Sequence, residues 1–235
     1  MTQALWNDLA SRANLTLDDA QHALLQRYLD LLLEANHRVN LTRITNREAA
    51  KLLHIADALT LLPHLPGGPI RIADVGTGGG IPGIPIAIAR DDTRVTLIES
   101  TKKKAAILRE IIASLNLPNV EVLDQRAEDV GLGPLRESFD AGVARAVAEM
   151  VWLAEWCLPL VRKGGRVLAM KGQRIAEELP PAMRAIKLLG GGEPGIRPAH
   201  LPGTEHHVIV EIPKLAKTDK RYPRPATSAK GKPMS

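Results

Sequence analysis

Ile70-Arg-Ile-Ala-Asp-Val-Gly-Thr-Gly-Gly-Gly-Ile-Pro-Gly83 is the stretch whose reading decides the fold. The apolar run Ile70 to Val75 has the composition and length of a buried strand, and it ends in an acid, Asp74, just ahead of the glycines. Ile84 to Ala89 reads as the first turns of a helix. Pro82 and Pro85 are tolerated near its start, because the first helical N–H groups have no intrahelical acceptor. Strand, glycine turn and helix in that order form the ligand-binding edge of a doubly wound sheet. Glycines let a ligand approach the backbone, and the helix N-terminus presents free N–H groups to it.

Downstream, strands and helices alternate. Strands are predicted at Arg94 to Ile98, Val120 to Leu123, Phe139 to Ala144, Gly165 to Met170 and His207 to Ile212. Helices are predicted at Lys102 to Leu115, Val151 to Leu160 and Pro180 to Leu189, with a Gly/Pro-rich loop from Gly190 to Pro202. This alternation predicts an α/β fold with a mostly parallel, Rossmann-like sheet covered on both faces. Upstream, Leu17 to Val39 has helical apolar spacing, with Thr16 and Asp19 as a capping start. A second helix is expected from Thr45, with Glu48 at the capping-box position. Its apolar face carries Leu52, Leu53 and Ala56; the other carries Arg47, Lys51, His54 and Asp57. His54 and Asp57, three apart, can share one functional surface, but spacing alone favours a solvated polar stripe. The expected organisation is an N-terminal helical segment over residues 1–64, a core over 65–213 and a tail over 214–235.

The tail holds the chain's net positive excess. Residues 214–235 carry seven basic side chains against one acid, Asp219, a net of +6, which leaves the remainder at −1 of the total +5. Rich in Pro, Ser, Thr and Gly, it is expected to be disordered, either as a nucleic-acid arm or as a plain solvated terminus. The one cysteine, Cys157, excludes an internal disulfide and reads as a buried inert thiol among apolar neighbours. No leader or long apolar run is apparent, which predicts a cytoplasmic protein without a membrane span. His206-His207 lack clustered partners, so no metal is expected.

The glycines admit two spacings. Gly78, Gly80 and Gly83 fit the dinucleotide pattern G-x-G-x-x-G, but that pattern wants its first glycine directly after the strand, and the first glycine here is Gly76. Counted from the strand end, the pattern is Asp74-x-Gly76-x-Gly78-x-Gly80. It resembles motif I of the class I S-adenosylmethionine methyltransferases, in which the acid faces the amino group of the methionine part. A glycine-rich turn with no ligand is the plain alternative. Ligands of such sheets lie outside the carboxyl ends of the strands. Glu99, ending the second strand, is placed to accept hydrogen bonds from a ribose diol. Ala127 and Glu128 follow the third strand, where a methyltransferase places its adenine contacts. Arg145 and Lys171 end the next two strands and put cations at the same cleft.

Taken together, Asn40-Leu41-Thr42, His54-x-x-Asp57, Asp74-Val-Gly-Thr-Gly-x-Gly-x-Pro-Gly-Ile-Pro, Arg145-Ala146 and Lys171-Gly172-Gln173 resemble, in order, the RsmG family. This family, also called glucose-inhibited division protein B, comprises bacterial 16S ribosomal RNA guanine-N7 methyltransferases. The resemblance runs from about Leu17 to Ile212. It implies S-adenosylmethionine as cofactor, with contacts at Asp74, Gly76, Gly78, Gly80, Ile81, Glu99, Ala127, Glu128 and Arg145. It implies RNA contacts at Asn40, His54, Asp57, Arg145 and Lys171, with Lys220, Arg221 and Arg224 added from the tail. The implied partner is 16S rRNA within the small ribosomal subunit or an assembly precursor, met by a monomer. Departures occur at Gly79, where some members have proline, at Glu99, aspartate elsewhere, and at Ala58, commonly serine. Guanine N7 carries an in-plane lone pair and no hydrogen, so the reaction needs positioning rather than a general base. Arg145 and Lys171 are the candidates for holding the base or a phosphate. With few aromatics, RNA affinity is expected from the tail and from the Arg47–Lys51–His54 face, without an aromatic stacking platform. A methyltransferase of small molecules and a non-catalytic RNA-binding module remain the competing readings, and a nicotinamide dehydrogenase fits Asp74 and Gly76 worst.

Overall fold

The computed structural model describes residues 2–229 and 232–234, so Lys230 of the tail lies outside the described residues. Its centre is a seven-stranded sheet in the order β3-β2-β1-β4-β5-β7-β6. The strands are β1 (Ile70–Val75), β2 (Thr93–Ile98), β3 (Val120–Leu123), β4 (Phe139–Arg145), β5 (Val161–Lys171), β6 (Gly195–Pro198) and β7 (Val208–Pro213). β1 to β5 pair in parallel, in register Asp74 to Leu97 and Asp74 to Val143, and β7 alone runs antiparallel to both of its neighbours. The chain order reverses at β1, and the strand before the glycines therefore lies at the topological switch point where such sheets bind ligands.

Side-chain alternation along β1 builds the two layers. Ile70 and Ile72 enter one core with Trp6, Tyr28, Leu32, Ile55 and Leu108, while Ala73 and Val75 enter the other with Met150, Cys157, Leu158 and Ile186. The first layer holds α1 (Thr2–Ser11), α2 (Asp19–Asn36), α5 (Gly83–Ala89) and α6 (Lys102–Leu115); the second holds α7 (Ala127–Leu132), α8 (Met150–Cys157) and α9 (Ile175–Leu188). Cys157 is fully buried, which pushes its thiol up to about 12.

Several local expectations need correcting. α1, absent from the predicted elements, buries Trp6 and Leu9 fully. α2 is capped by Asp18 in a reciprocal box with Gln21, not by Thr16. The next helix is capped by Asn46, whose side chain accepts from Ala49 N, not by Thr45. That helix runs as α3 (Arg47–Ala50), a π-helical segment Lys51–Ala56, and α4 (Asp57–Leu59). The widened π turn rotates the polar face inward: His54 and Asp57 are buried rather than solvated. α9 extends across Pro180 and Pro181, both on its exposed side. The Gly190–Pro202 loop contains β6, recognisable only through its pairing with β7.

The largest difference is the tail. Residues 214–229, expected to be disordered, lie across α7, α8 and the end of α9 and close with a short helix, α10 (Ala226–Ala229). The Lys214 side chain is fully buried, and its ammonium donates to Leu158 O at 2.8 Å, Leu189 O at 2.9 Å and the Thr218 hydroxyl. Burial pulls it down to about 8. Arg136 donates to the carbonyls of Thr218, Asp219 and Tyr222, and Arg224 closes a fork on the buried Glu155 at 2.8 and 2.7 Å. Composition misled because the tail builds no core of its own; its polar groups are satisfied by partners on the preceding domain.

Candidate functional site

The carboxyl ends of β1, β2, β4 and β5 open into a cavity of about 1030 Å³. It gathers Asn40, His54, Asp57, Gly76, Gly78, Ile81, Glu99, Arg145 and Lys171, positions up to 131 residues apart in sequence. Thr42, Glu178 and His207 also line it.

The glycine loop forms the floor. Gly76 has φ +67°, and a Cβ there would stand 2.7 Å from Val147 Cγ1, so this backbone suits only glycine. Asp74 braces the loop from behind: its Oδ2 accepts from the Thr77 hydroxyl at 2.6 Å and from Gly83 N at 2.8 Å. Gly83 permits that bond, since a Cβ would meet the carboxylate at 2.7 Å. Asp74 is fully buried and, like Gly80, is not among the residues lining the cavity; its Oδ2 is spent on the loop. Burial raises it to about 6 against the pull of those two hydrogen bonds, and its Oδ1 has no partner among the described residues. Glu99, by contrast, lines the cavity. Its oxygens accept from Gly78 N at 3.1 Å and Thr101 N at 2.8 Å, leaving each with a further lone pair. At Gly79 the turn is tied to α2: the buried Tyr28 hydroxyl donates to its carbonyl at 2.8 Å.

The opposite wall is an ion-paired cluster around Arg145. One guanidinium nitrogen donates to Leu53 O and, at 3.3 Å, to Asp57 Oδ2; the other lies 3.1 Å from His54 Nδ1. His54 Nδ1 also lies 3.2 Å from Leu53 O, and its Nε2 is 2.9 Å from the Thr42 hydroxyl. Burial, reinforced by Arg145, holds His54 down at about 4, a neutral ring. His207 Nδ1 sits 3.1 Å from Asp57 Oδ1, and this hydrogen bond raises His207 above its ordinary range. The π turn is what makes this possible, because it brings Leu53 O, His54 and Asp57 together toward one guanidinium. Lys171 donates to Ala148 O at 2.9 Å and pairs with Glu178, which also accepts from Met150 N. Arg145 is thus tethered by a helix far off in sequence, and Lys171 by the segment after β4 and by α9.

Other candidates lie elsewhere. Glu128 faces a separate, smaller cavity beside α8 and the tail, and Ala127 packs in the core behind it. Of the tail cations, Arg224 is committed to Glu155, Arg221 to Asp219, and neither they nor Lys220 line the main cavity. On the other proposed RNA face, Arg47 pairs with Asp30 and Lys51 with Glu48. Arg43 and Lys104, at the cavity mouth, have no acid within 4.0 Å among the described residues. His207 and Glu178 had no local sequence signal. Thr42 was visible within Asn40-Leu41-Thr42, but its contact with His54 was not. Among the described residues, no group of three or more His, Cys, Asp or Glu side chains is arranged to hold a metal, and no helix is long and apolar enough to cross a membrane.

Residues 21–204 match the family model GidB, rRNA small subunit methyltransferase G. A protein named ribosomal RNA small subunit methyltransferase G from Roseiflexus sp. (strain RS-1) is 46% identical, over 89% of this chain and 90% of its own. A protein of the same name from Chloroflexus aggregans is 42% identical over 95% and 94%. Among solved structures, one described as a predicted O-methyltransferase from Agrobacterium tumefaciens aligns with TM-score 0.51 at 23% identity, covering 68% of this chain and 81% of its own. That likeness concerns the fold, which is the class I S-adenosylmethionine-dependent methyltransferase fold.

Proposed function

This chain belongs to the GidB family of rRNA small subunit methyltransferases G, and on that premise we propose that it methylates N7 of one specific guanine in 16S ribosomal RNA. S-adenosylmethionine supplies the methyl group from its sulfonium. The observation that carries the reading is the single cavity on which a brace-held glycine loop, a ribose-type acid and a fixed guanidinium converge.

The residues present fit the cofactor. The positive-φ glycine loop admits a ligand against the backbone, Glu99 keeps acceptor capacity for a diol, and the unpaired Asp74 Oδ1 leaves the loop short of one donor. Gly76, Gly78, Ile81 and Glu99 would hold the methionine and ribose parts, and Ala127 and Glu128 the adenine. Arg145 is oriented by Asp57, Leu53 O and His54, and its remaining N–H groups can donate to guanine O6. Lys171 acts alongside it, tethered by Glu178. The neutral His54 and the paired carboxylates offer no free base, which suits an acceptor nitrogen that has no proton to lose. Catalysis is then a matter of holding N7 at attack distance. Asn40, Arg43 and Lys104 stand at the mouth, where RNA phosphates approach. The enzyme acts as a monomer in the cytoplasm, on the small ribosomal subunit or an assembly precursor.

The test is methyl transfer from labelled S-adenosylmethionine to small subunits lacking the modification, followed by cleavage chemistry specific for N7-methylguanine. One mapped guanine, lost with Arg145→Ala, is the expected result. Transfer neither to particles nor to free 16S RNA would overturn the rRNA substrate, and transfer at a different atom would overturn the N7 assignment.

A further inference from the structure

Between α7 and α8 lies a second cavity of about 380 Å³. Arg126 and Glu128 reach it from the segment after β3, Ala148 from the segment after β4, Trp152 and Trp156 from α8, and Ala226 and Ala229 from the tail helix. It therefore opens at the same carboxyl edge of the sheet as the main cavity. The two are neighbours: Ala146 lines the larger and Ala148 the smaller, and Val147 between them packs over Gly76. One extended ligand lying over the glycine loop can occupy both.

The chemistry of the smaller cavity is specific. Glu128 is only 6% exposed, and its carboxylate has no hydrogen-bond or ion-pair partner among the described residues. Its oxygens are not sealed from the cavity, so they can accept a hydrogen bond from a ligand there. Trp152 and Trp156 stack with centroids 5.9 Å apart and planes 30° apart, giving a flat apolar wall, and the two tail alanines line the same space. An open recess with an apolar wall, one carboxylate acceptor and Arg126 at its edge suits a heteroaromatic ring bearing an exocyclic amine. The tail is fixed there by the Arg224–Glu155 fork, by Pro223 against Gly131, and by the Arg224 guanidinium 5.9 Å from the Trp152 ring.

We propose that the C-terminal strap is part of the cofactor site: Ala226 and Ala229, with Trp152 and Trp156, wall the slot for the adenine ring of S-adenosylmethionine, and Glu128 accepts from its amino group. The proposal rests on the methyltransferase reading and adds to it a binding role for a segment whose charge suggested an RNA arm. The strap's basic residues serve to dock it, and its small residues serve the ligand.

The test is calorimetric binding of S-adenosylhomocysteine to the full chain, to Ala226→Leu, which fills the slot from a half-exposed helical position, and to a chain ending at Thr218. Thermal melts without ligand establish that each variant folds. Both variants are expected to bind roughly ten-fold or more weakly, while Thr227→Leu on the exposed side of the same helix binds as wild type. Glu128→Ala is expected to erase roughly ten-fold of the preference for S-adenosylhomocysteine over its inosine counterpart, which lacks the amine. Unchanged affinity in a folded Ala226→Leu chain would overturn the proposal. So would a truncated chain that binds S-adenosylhomocysteine normally and loses only rRNA methylation, because the strap would then serve RNA. If the wild-type chain itself failed to bind, the methyltransferase reading would fall instead.

Discussion

Arg224→Ala separates a docked strap from a free basic tail. Glu155 is 1% exposed and accepts from Arg224 Nε at 2.8 Å, Nη2 at 2.7 Å and the Arg224 backbone N–H at 2.9 Å. The substitution removes both charge-assisted side-chain bonds and leaves the carboxylate buried with the amide alone. Breaking a buried ion pair from one side costs about 3–5 kcal/mol. The lower end applies, about 3 kcal/mol, because the amide bond survives and Arg224 is a quarter exposed. For a chain of this size that lowers Tm by roughly 6–12 °C. Glu155→Leu costs much less, about 1 kcal/mol, since the exposed side of Arg224 can turn to water and leucine packs where the carboxylate was. The double variant is then expected to be more stable than Arg224→Ala alone. Urea unfolding followed by far-UV circular dichroism measures all three. A loss below about 1 kcal/mol for Arg224→Ala, the range of ordinary surface substitutions, would refute the docking and restore the tail to solvent.

Tyr28→Phe leaves the buried Gly79 carbonyl unpaired and is expected to cost about 1–3 kcal/mol, read by urea unfolding, together with weaker cofactor binding from a looser loop. His207 owes its raised pKa first to the Asp57 hydrogen bond. Its protonated form stabilises the fold fully below the ordinary histidine value, and this contribution is lost as pH rises through the raised one. An NMR titration of its imidazole is expected to shift back toward the ordinary value in Asp57→Asn, and an unmoved titration would remove Asp57 as the cause. Asp74 behaves oppositely to a salt-bridged carboxylate. Its folded-state value, about 6, exceeds the ordinary 3.8, so the folded chain holds the proton more tightly. Stability from this group is full below about 4 and declines as pH rises to about 6, and Asp74→Asn is expected to flatten that slope in unfolding free energies measured across the same window.

The core of the fold was legible because its signals are local. The strand Ile70–Val75, the glycines after it and the periodicity of Lys102–Leu115 each follow from neighbouring side chains, and the structure places them at the same residues. Helix starts were less legible: Asp18 and Asn46 cap where Thr16 and Thr45 also had the chemistry, and the choice depends on where the chain leaves the packed layer. His54 and Asp57 show the limit more sharply. Their three-residue spacing suggested a shared surface, but whether that surface met water or Arg145 was decided by a π turn with no signature of its own.

What the sequence by itself determined is the sheet, its ligand-binding edge and the residue types gathered there, since hydrophobic period and glycine chemistry act over a few residues. Only the tertiary structure decided what each charge does. Arg145, Lys171, Lys214 and Arg224 all read as free cations in one dimension, and each is tied to a carboxylate or to backbone carbonyls on another element. Asp74, beside the glycines in the sequence, gives one carboxylate oxygen to holding the loop from behind. Burying a charge is costly enough that it must find a partner, and the partner is chosen by the packing of elements, not by the order of residues.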